Sequence, residues 1–108
     1  IPFMTMPDAI NAIIQVMKAP QEKLTRTVYN IRSFAPTAEE FRQKLMEFFP
    51  DAEIRYDINE KRQKMVDSWP TDTDDSFAQN EWGWEPNHNL EKGLSEYLIP
   101  DLTKLYNN

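Results

Sequence analysis

Apolar positions along the chain switch between a helical and an extended period. Residues 1–6 form a short apolar run that reads as a buried strand, and Pro7-Asp8 then opens a helix, with proline in its tolerated first turn. Ile10, Ile13, Ile14 and Met17 fall at i, i+3, i+4 and i+7, so they are predicted to share one buried stripe, and Pro20 stops the helix. Residues 27–31, Thr-Val-Tyr-Asn-Ile, are β-branched and aromatic as a short strand should be. Thr37-Ala38-Glu39-Glu40 has the spacing of a capping box, and Ala38, Phe41, Leu45 and Phe48 line the helix that follows, up to Pro50. Ile54, Tyr56 and Ile58 alternate with Arg55 and Asp57, the pattern of a strand with one wet face.

Residues 60–69 read as a helix with Met65, Val66 and Trp69 on one side, followed by a loop over 70–73. Thr73 or Asp74 caps a short helix through Trp82, and Gly83 suits its end. Asn89 caps the last helix, with Leu90, Leu94, Tyr97 and Leu98 on its face; Pro100 should break it, leaving 101–106 as a separate turn or two. About five helices and two or three short strands make the expected fold α+β, helix-dominated and compact.

Composition narrows the chemistry. The 108 residues include 12 basic and 18 acidic side chains, a net charge of −6, no cysteine, one histidine and two glycines. The lack of cysteine removes disulfides, thiolate metal sites and thiol nucleophiles, and His88 alone cannot build a zinc centre or a histidine triad. An acidic chain without a basic cluster is a poor ligand for nucleic acid, and no apolar run has the roughly 20 residues of a membrane span. The length suits one domain. Its opening at Ile1-Pro2-Phe3, within an apolar strand, suggests a piece of a longer protein.

Few residues carry an obvious reaction. Gly83 and Gly93 do not follow predicted strands, so no loop is suited to cradle a pyrophosphate. Asp72, Asp74 and Asp75 could hold a hard cation, but an EF-hand register beginning at Asp72 would put Phe77 and Gly83 where glycine and glutamate are required; helix capping and solvation explain them better. Trp82-Gly83-Trp84 reads as a core corner around a helix stop, and His88 as a solvated loop residue. Trp69 follows Asp67 and Ser68 and precedes Pro70, so it could serve the core or face a cleft. Arg62 shares the face of Met65, Val66 and Trp69, where a cation either snorkels or meets an anion.

The series Arg62-Gln63…Asp67-Ser68-Trp69-Pro70…Asp74-Asp75-Ser76…Trp82-Gly83-Trp84 is similar to one found in the short-chain-dehydrogenase type of L-threonine 3-dehydrogenase, within the extended NAD-dependent epimerase/dehydratase superfamily. Residues 1–10, Tyr29-Asn30-Ile31 and Ser33-Phe34 resemble further stretches of that family. The resemblance covers residues 1–99 as the C-terminal substrate-binding region, with 100–108 as an extension. One extra residue around 35–40 and Gln79 at a commonly basic position are departures outside the diagnostic series.

The resemblance implies a cap of a Rossmann-type enzyme of threonine catabolism, an oxidoreductase that converts L-threonine and NAD to 2-amino-3-oxobutyrate and NADH. It also implies a homodimeric parent, cytoplasmic in a bacterium and in the mitochondrial matrix of a eukaryote. The superfamily's tyrosine and lysine, four residues apart, are not found, since Ser33, Glu60 and Asp101 stand four places after Tyr29, Tyr56 and Tyr97. The chain is therefore expected to be inactive alone, with NAD held by a Rossmann domain outside it. On this reading Trp69 covers the substrate, Asp67 and Ser68 are nearest the amino-acid head, and Arg62 orients the loop or meets an anion. Two other readings stay open: a non-catalytic acidic interaction module, and the cap of a nucleotide-sugar epimerase or dehydratase.

Overall fold

Four polar side chains set where the principal helices begin. Thr5, Thr37, Asn59 and Asn89 each turn a side-chain oxygen onto a backbone N–H three residues on, at 3.4, 3.1, 3.1 and 2.8 Å. In the computed structural model, which describes residues 1–107, they open α1 (Met6–Lys18), α2 (Ala38–Phe48), α3 (Glu60–Asp67) and α5 (Leu90–Lys92). Between them lies α4 (Ser76–Trp82), ended by Gly83 in the left-handed conformation, φ 71°, which only glycine adopts without strain. A 3₁₀ turn spans Gln21–Lys23.

The expected α+β fold with short strands is not what forms. Among the described residues the only pairing is one antiparallel bridge, Phe3 with Phe34, in which Phe3 N–H donates to Phe34 O at 2.7 Å and Phe34 N–H to Phe3 O at 3.2 Å, with Ser33 N–H also on Phe3 O at 2.9 Å. The other two candidate segments have the side chains of strands but no neighbouring backbone to complete a ladder. Val28 and Ile58 stand 74% and 75% exposed within them. The chain is helical, with irregular segments between helices.

Pro100 does not break the last helix. Gly93–Leu98 adopts a π-helical turn that runs directly into α6 (Ile99–Tyr106). Proline supplies no N–H to the preceding turn and crowds its carbonyl, and the wider π turn relieves that mismatch while the axis continues.

Burial is sparse. Ala12, Ala78 and Trp84 form a small core, against which Met4, Tyr29, Ile31 and Trp82 pack, and Leu94 is buried apart from it. The α1 stripe is also corrected: Ile10, Ile13, Ile14 and Met17 face solvent, while Asp8 and Ala12 are the buried residues of that helix. The accessible surface is 8460 Å², whereas about 6300 Å² is typical of a compact monomer of this mass. The radius of gyration is 16.8 Å, against about 13 Å for a compact chain of this length. The molecule is a slab, 52 × 37 × 20 Å, with too little interior to enclose its own apolar side chains.

Candidate functional site

Asn59 starts α3, and the helix carries Arg62 and Asp67 before ending at Ser68 and Trp69. Gln63 and Val66 border an apolar cavity of about 460 Å³ with Ile1, Phe3, Pro36 and Phe41. The outer side of the helix is open. Arg62 borders a second cavity of about 260 Å³ with Tyr56, Asn59 and Val66. Asp67 accepts a hydrogen bond from Gln63 Nε2 at 2.7 Å, leaving its second carboxylate oxygen free of protein partners among the described residues. Ser68 Oγ donates back to the Met65 carbonyl at 2.6 Å, so it retains only acceptor capacity toward a ligand. Trp69 N–H closes the turn on Val66 O at 2.9 Å, and its side chain is half exposed.

The structure thus puts the four sequence-derived residues on one helix and its C-terminal turn. It does not join any two of them by a hydrogen bond or ion pair among the described residues. Their open side would have to be closed from outside. Arg32 Nε, buried and without a hydrogen-bond partner among the described residues, lies 2.8 Å from Asp72 Oδ1, an ion pair between the body and the loop after Trp69.

Three polar centres lie elsewhere in the chain, and the sequence pattern did not mark them as centres. Asp8 is fully buried; it accepts from Ser33 Oγ at 2.6 Å, Asn87 N at 3.0 Å and His88 N at 3.2 Å. That one carboxylate clamps α1 to two distant loops. His88, expected in solvent, lies mostly covered, with Nδ1 2.7 Å from Thr5 Oγ1 and its ring stacked on Tyr97. Helix-start chemistry named Asp8, but only the tertiary fold reveals its distant partners.

Glu81 on α4 accepts from Thr25 N, Thr25 Oγ1 and Tyr29 OH at 2.6, 2.9 and 2.8 Å. The Thr25 N–H is the chief reason its carboxyl titrates below the ordinary range, while burial, with Glu81 alongside, pushes the Tyr29 hydroxyl up. On α2, Glu39 takes both Arg42 Nη2 at 2.7 Å and Nε at 2.9 Å, and also the Tyr56 hydroxyl. The guanidinium foremost, then the hydroxyl, lower Glu39 to about 2.

Trp82 and Trp84 form the expected corner around Gly83, with Trp82 edge-on to Tyr29. Their indole nitrogens are buried without acceptors among the described residues. Asp74 Oδ1 accepts from Ser76 N at 3.0 Å, which lowers its carboxyl's titration, and Asp75 holds Gln79 Nε2 at 2.7 Å. No group of three or more histidine and carboxylate side chains among the described residues is placed to hold a metal.

Gly83, at φ 71°, ends α4, and a Cβ on Gly93 would lie 3.1 Å from the Phe34 ring.

No family model matches the chain. Its sequence is 37% identical over 98 residues to the mitochondrial L-threonine 3-dehydrogenase of Bos taurus, covering 91% of this chain and 26% of that protein. The structure of L-threonine 3-dehydrogenase from Trypanosoma brucei superposes with a TM-score of 0.86 at 36% identity, covering 98% of this chain and 33% of that one. The chain matches a part of the L-threonine 3-dehydrogenases. An uncharacterised epimerase/dehydratase of Staphylococcus saprophyticus, 42% identical over 89 residues, extends the likeness to that wider group. The chain spans 26% to 33% of the length of these threonine dehydrogenases. No described helix is long and apolar enough to cross a membrane.

Proposed function

We propose that this chain is the C-terminal, substrate-side cap of an NAD-dependent L-threonine 3-dehydrogenase, completed by a separate nucleotide-binding part. One observation carries the reading: an amphipathic helix, α1, presents Ile10, Ile13, Ile14 and Met17 outward from a slab that spans only 26% to 33% of the length of its relatives. The surface excess over a compact monomer, about 2200 Å², is ample for a stable intramolecular interface.

The complete enzyme would oxidise L-threonine to 2-amino-3-oxobutyrate, with NAD, held outside this chain, supplying the hydride acceptor. In this proposal that oxidation occurs on the nucleotide-binding part, and NAD is held there. The cap closes the site. Threonine is small and zwitterionic, so selecting it calls for opposed charges in a mostly dry pocket. Asp67 has a free oxygen for the ammonium group, Ser68 an acceptor beside it, and Arg62 a guanidinium that can meet the carboxylate or orient the loop. Trp69 supplies the apolar cover that keeps water from the hydride path. We place the complete enzyme in the cytoplasm of a bacterium or the mitochondrial matrix of a eukaryote, as a homodimer.

Steady-state kinetics of the complete enzyme test the assignment. Trp69→Ala should raise KM for L-threonine and lower kcat, with NAD affinity nearly intact. Equal loss of coenzyme affinity would contradict the covering role.

A further inference from the structure

We propose that the Arg32–Asp72 ion pair is a strut that fixes the Trp69 loop for substrate, making both residues positioning residues for threonine selection. The inference rests on the cap assignment above. The segment from α3 through residue 73 carries every substrate-facing candidate, yet its polar attachment to the body is narrow. Within it, side chains bond locally: Gln63 to Asp67, Ser68 to the Met65 carbonyl, and Asp72 Oδ1 to Thr73 N at 2.7 Å. Arg32 Nε, 2.8 Å from the same Asp72 oxygen, is the long-range ionic link from the body to this loop among the described residues.

The two ends of the strut differ in rigidity. Arg32 is followed by Ser33 and Phe34, which are pinned on both sides. Their backbone pairs with Phe3, and Ser33 Oγ donates to the buried Asp8 carboxylate, which also holds Asn87 and His88. Asp72 stands in an exposed loop three residues after Trp69, with Pro70 stiffening the chain between them. The Arg32 charge, carried next to this fixed segment and without a hydrogen bond at Nε, thus faces by ion pairing alone a loop that has no helical ladder of its own. The Arg32 and Asp72 side chains are 33% and 52% exposed, so the pair contributes little to global stability while still setting where the loop sits.

The test separates position from stability. In this chain, ¹⁵N–¹H relaxation of the Trp69 indole, assigned by Trp69→Phe, reports the order of the side chain. Arg32→Gln and Asp72→Asn should each lower that order, as should about 0.5 M salt on the unaltered chain, with thermal midpoints nearly unchanged. The charge exchange Arg32→Asp with Asp72→Arg should restore it. In the complete enzyme each single variant should raise KM for L-threonine about two- to fivefold, leave KM for NAD unchanged, and be rescued by the exchange. Unchanged indole order in both single variants overturns the strut, and lowered order with unchanged threonine KM overturns its role in selection. If the unaltered complete enzyme does not oxidise threonine, the cap assignment falls, while the indole measurement still decides whether the strut exists.

Discussion

Removing the Asp8 carboxylate should cost this chain much of its stability, because that group satisfies three donors from two distant loops. Asp8→Ala leaves Ser33 Oγ, Asn87 N and His88 N without their acceptor. Each abandoned donor costs about 1–3 kcal/mol when fully buried. The two backbone donors are only part-buried and can recruit water, which sets the sum near the lower end, about 3 kcal/mol. Native domains lie at about 5–15 kcal/mol, so a loss of about 3 kcal/mol is a large share of the low end of that range. Ser33→Ala deletes a single bond and keeps the carboxylate on two partners, so its cost should be about 1 kcal/mol. Urea unfolding followed by circular dichroism measures all three chains. Asp8→Ala destabilising by under about 1 kcal/mol, or by no more than Ser33→Ala, would refute the clamp.

Two further outcomes follow from the geometry. Glu39 titrates lower in the folded chain than in the unfolded one, at about 2 against 4.5, so its contribution to stability is complete above pH 4.5 and is lost as the pH falls toward 2. Carboxyl NMR titration should show this, and Arg42→Gln should move the midpoint up toward 4.5; an unmoved midpoint would remove the guanidinium as the cause. Gly93→Ala sets a methyl 3.1 Å from the Phe34 ring and 3.4 Å from the Thr5 methyl, at the junction of the π turn and the Phe3–Phe34 bridge. It should destabilise by about 1–3 kcal/mol in the same urea assay, and a neutral result would show that the ring has room to yield.

Local rules located the helices well. Thr37, Asn89 and Gly83 do at helix ends what their chemistry prescribes, because a cap involves atoms only a few residues apart. Strand-like segments misled because a strand is completed by a neighbour. Residues 27–31 and 54–58 have β-branched or alternating side chains but no ladder to join. The α1 stripe misled for a related reason: periodicity shows which residues share a face, not what covers it. Pro100 is tolerated through a π turn that no single-residue rule anticipates.

The candidate site was legible as a run of residues and less so as a geometry. Arg62, Asp67, Ser68 and Trp69 lie on α3 and the turn that ends it, within the helix read from residues 60–69. The polar centres away from α3 could not be read from spacing. Asp8 lies 79 and 80 residues from two of its donors, Asn87 and His88, and Glu81 lies 56 from Thr25. Such polar contacts are fixed by tertiary packing.

The decisive comparison is NADH formation from L-threonine by the purified 108-residue chain and by the same chain joined to a threonine dehydrogenase nucleotide-binding part. The cap assignment requires none from the chain alone and threonine-dependent turnover from the joined protein. Turnover by the isolated chain, or no turnover from a correctly folded joined protein, would contradict it.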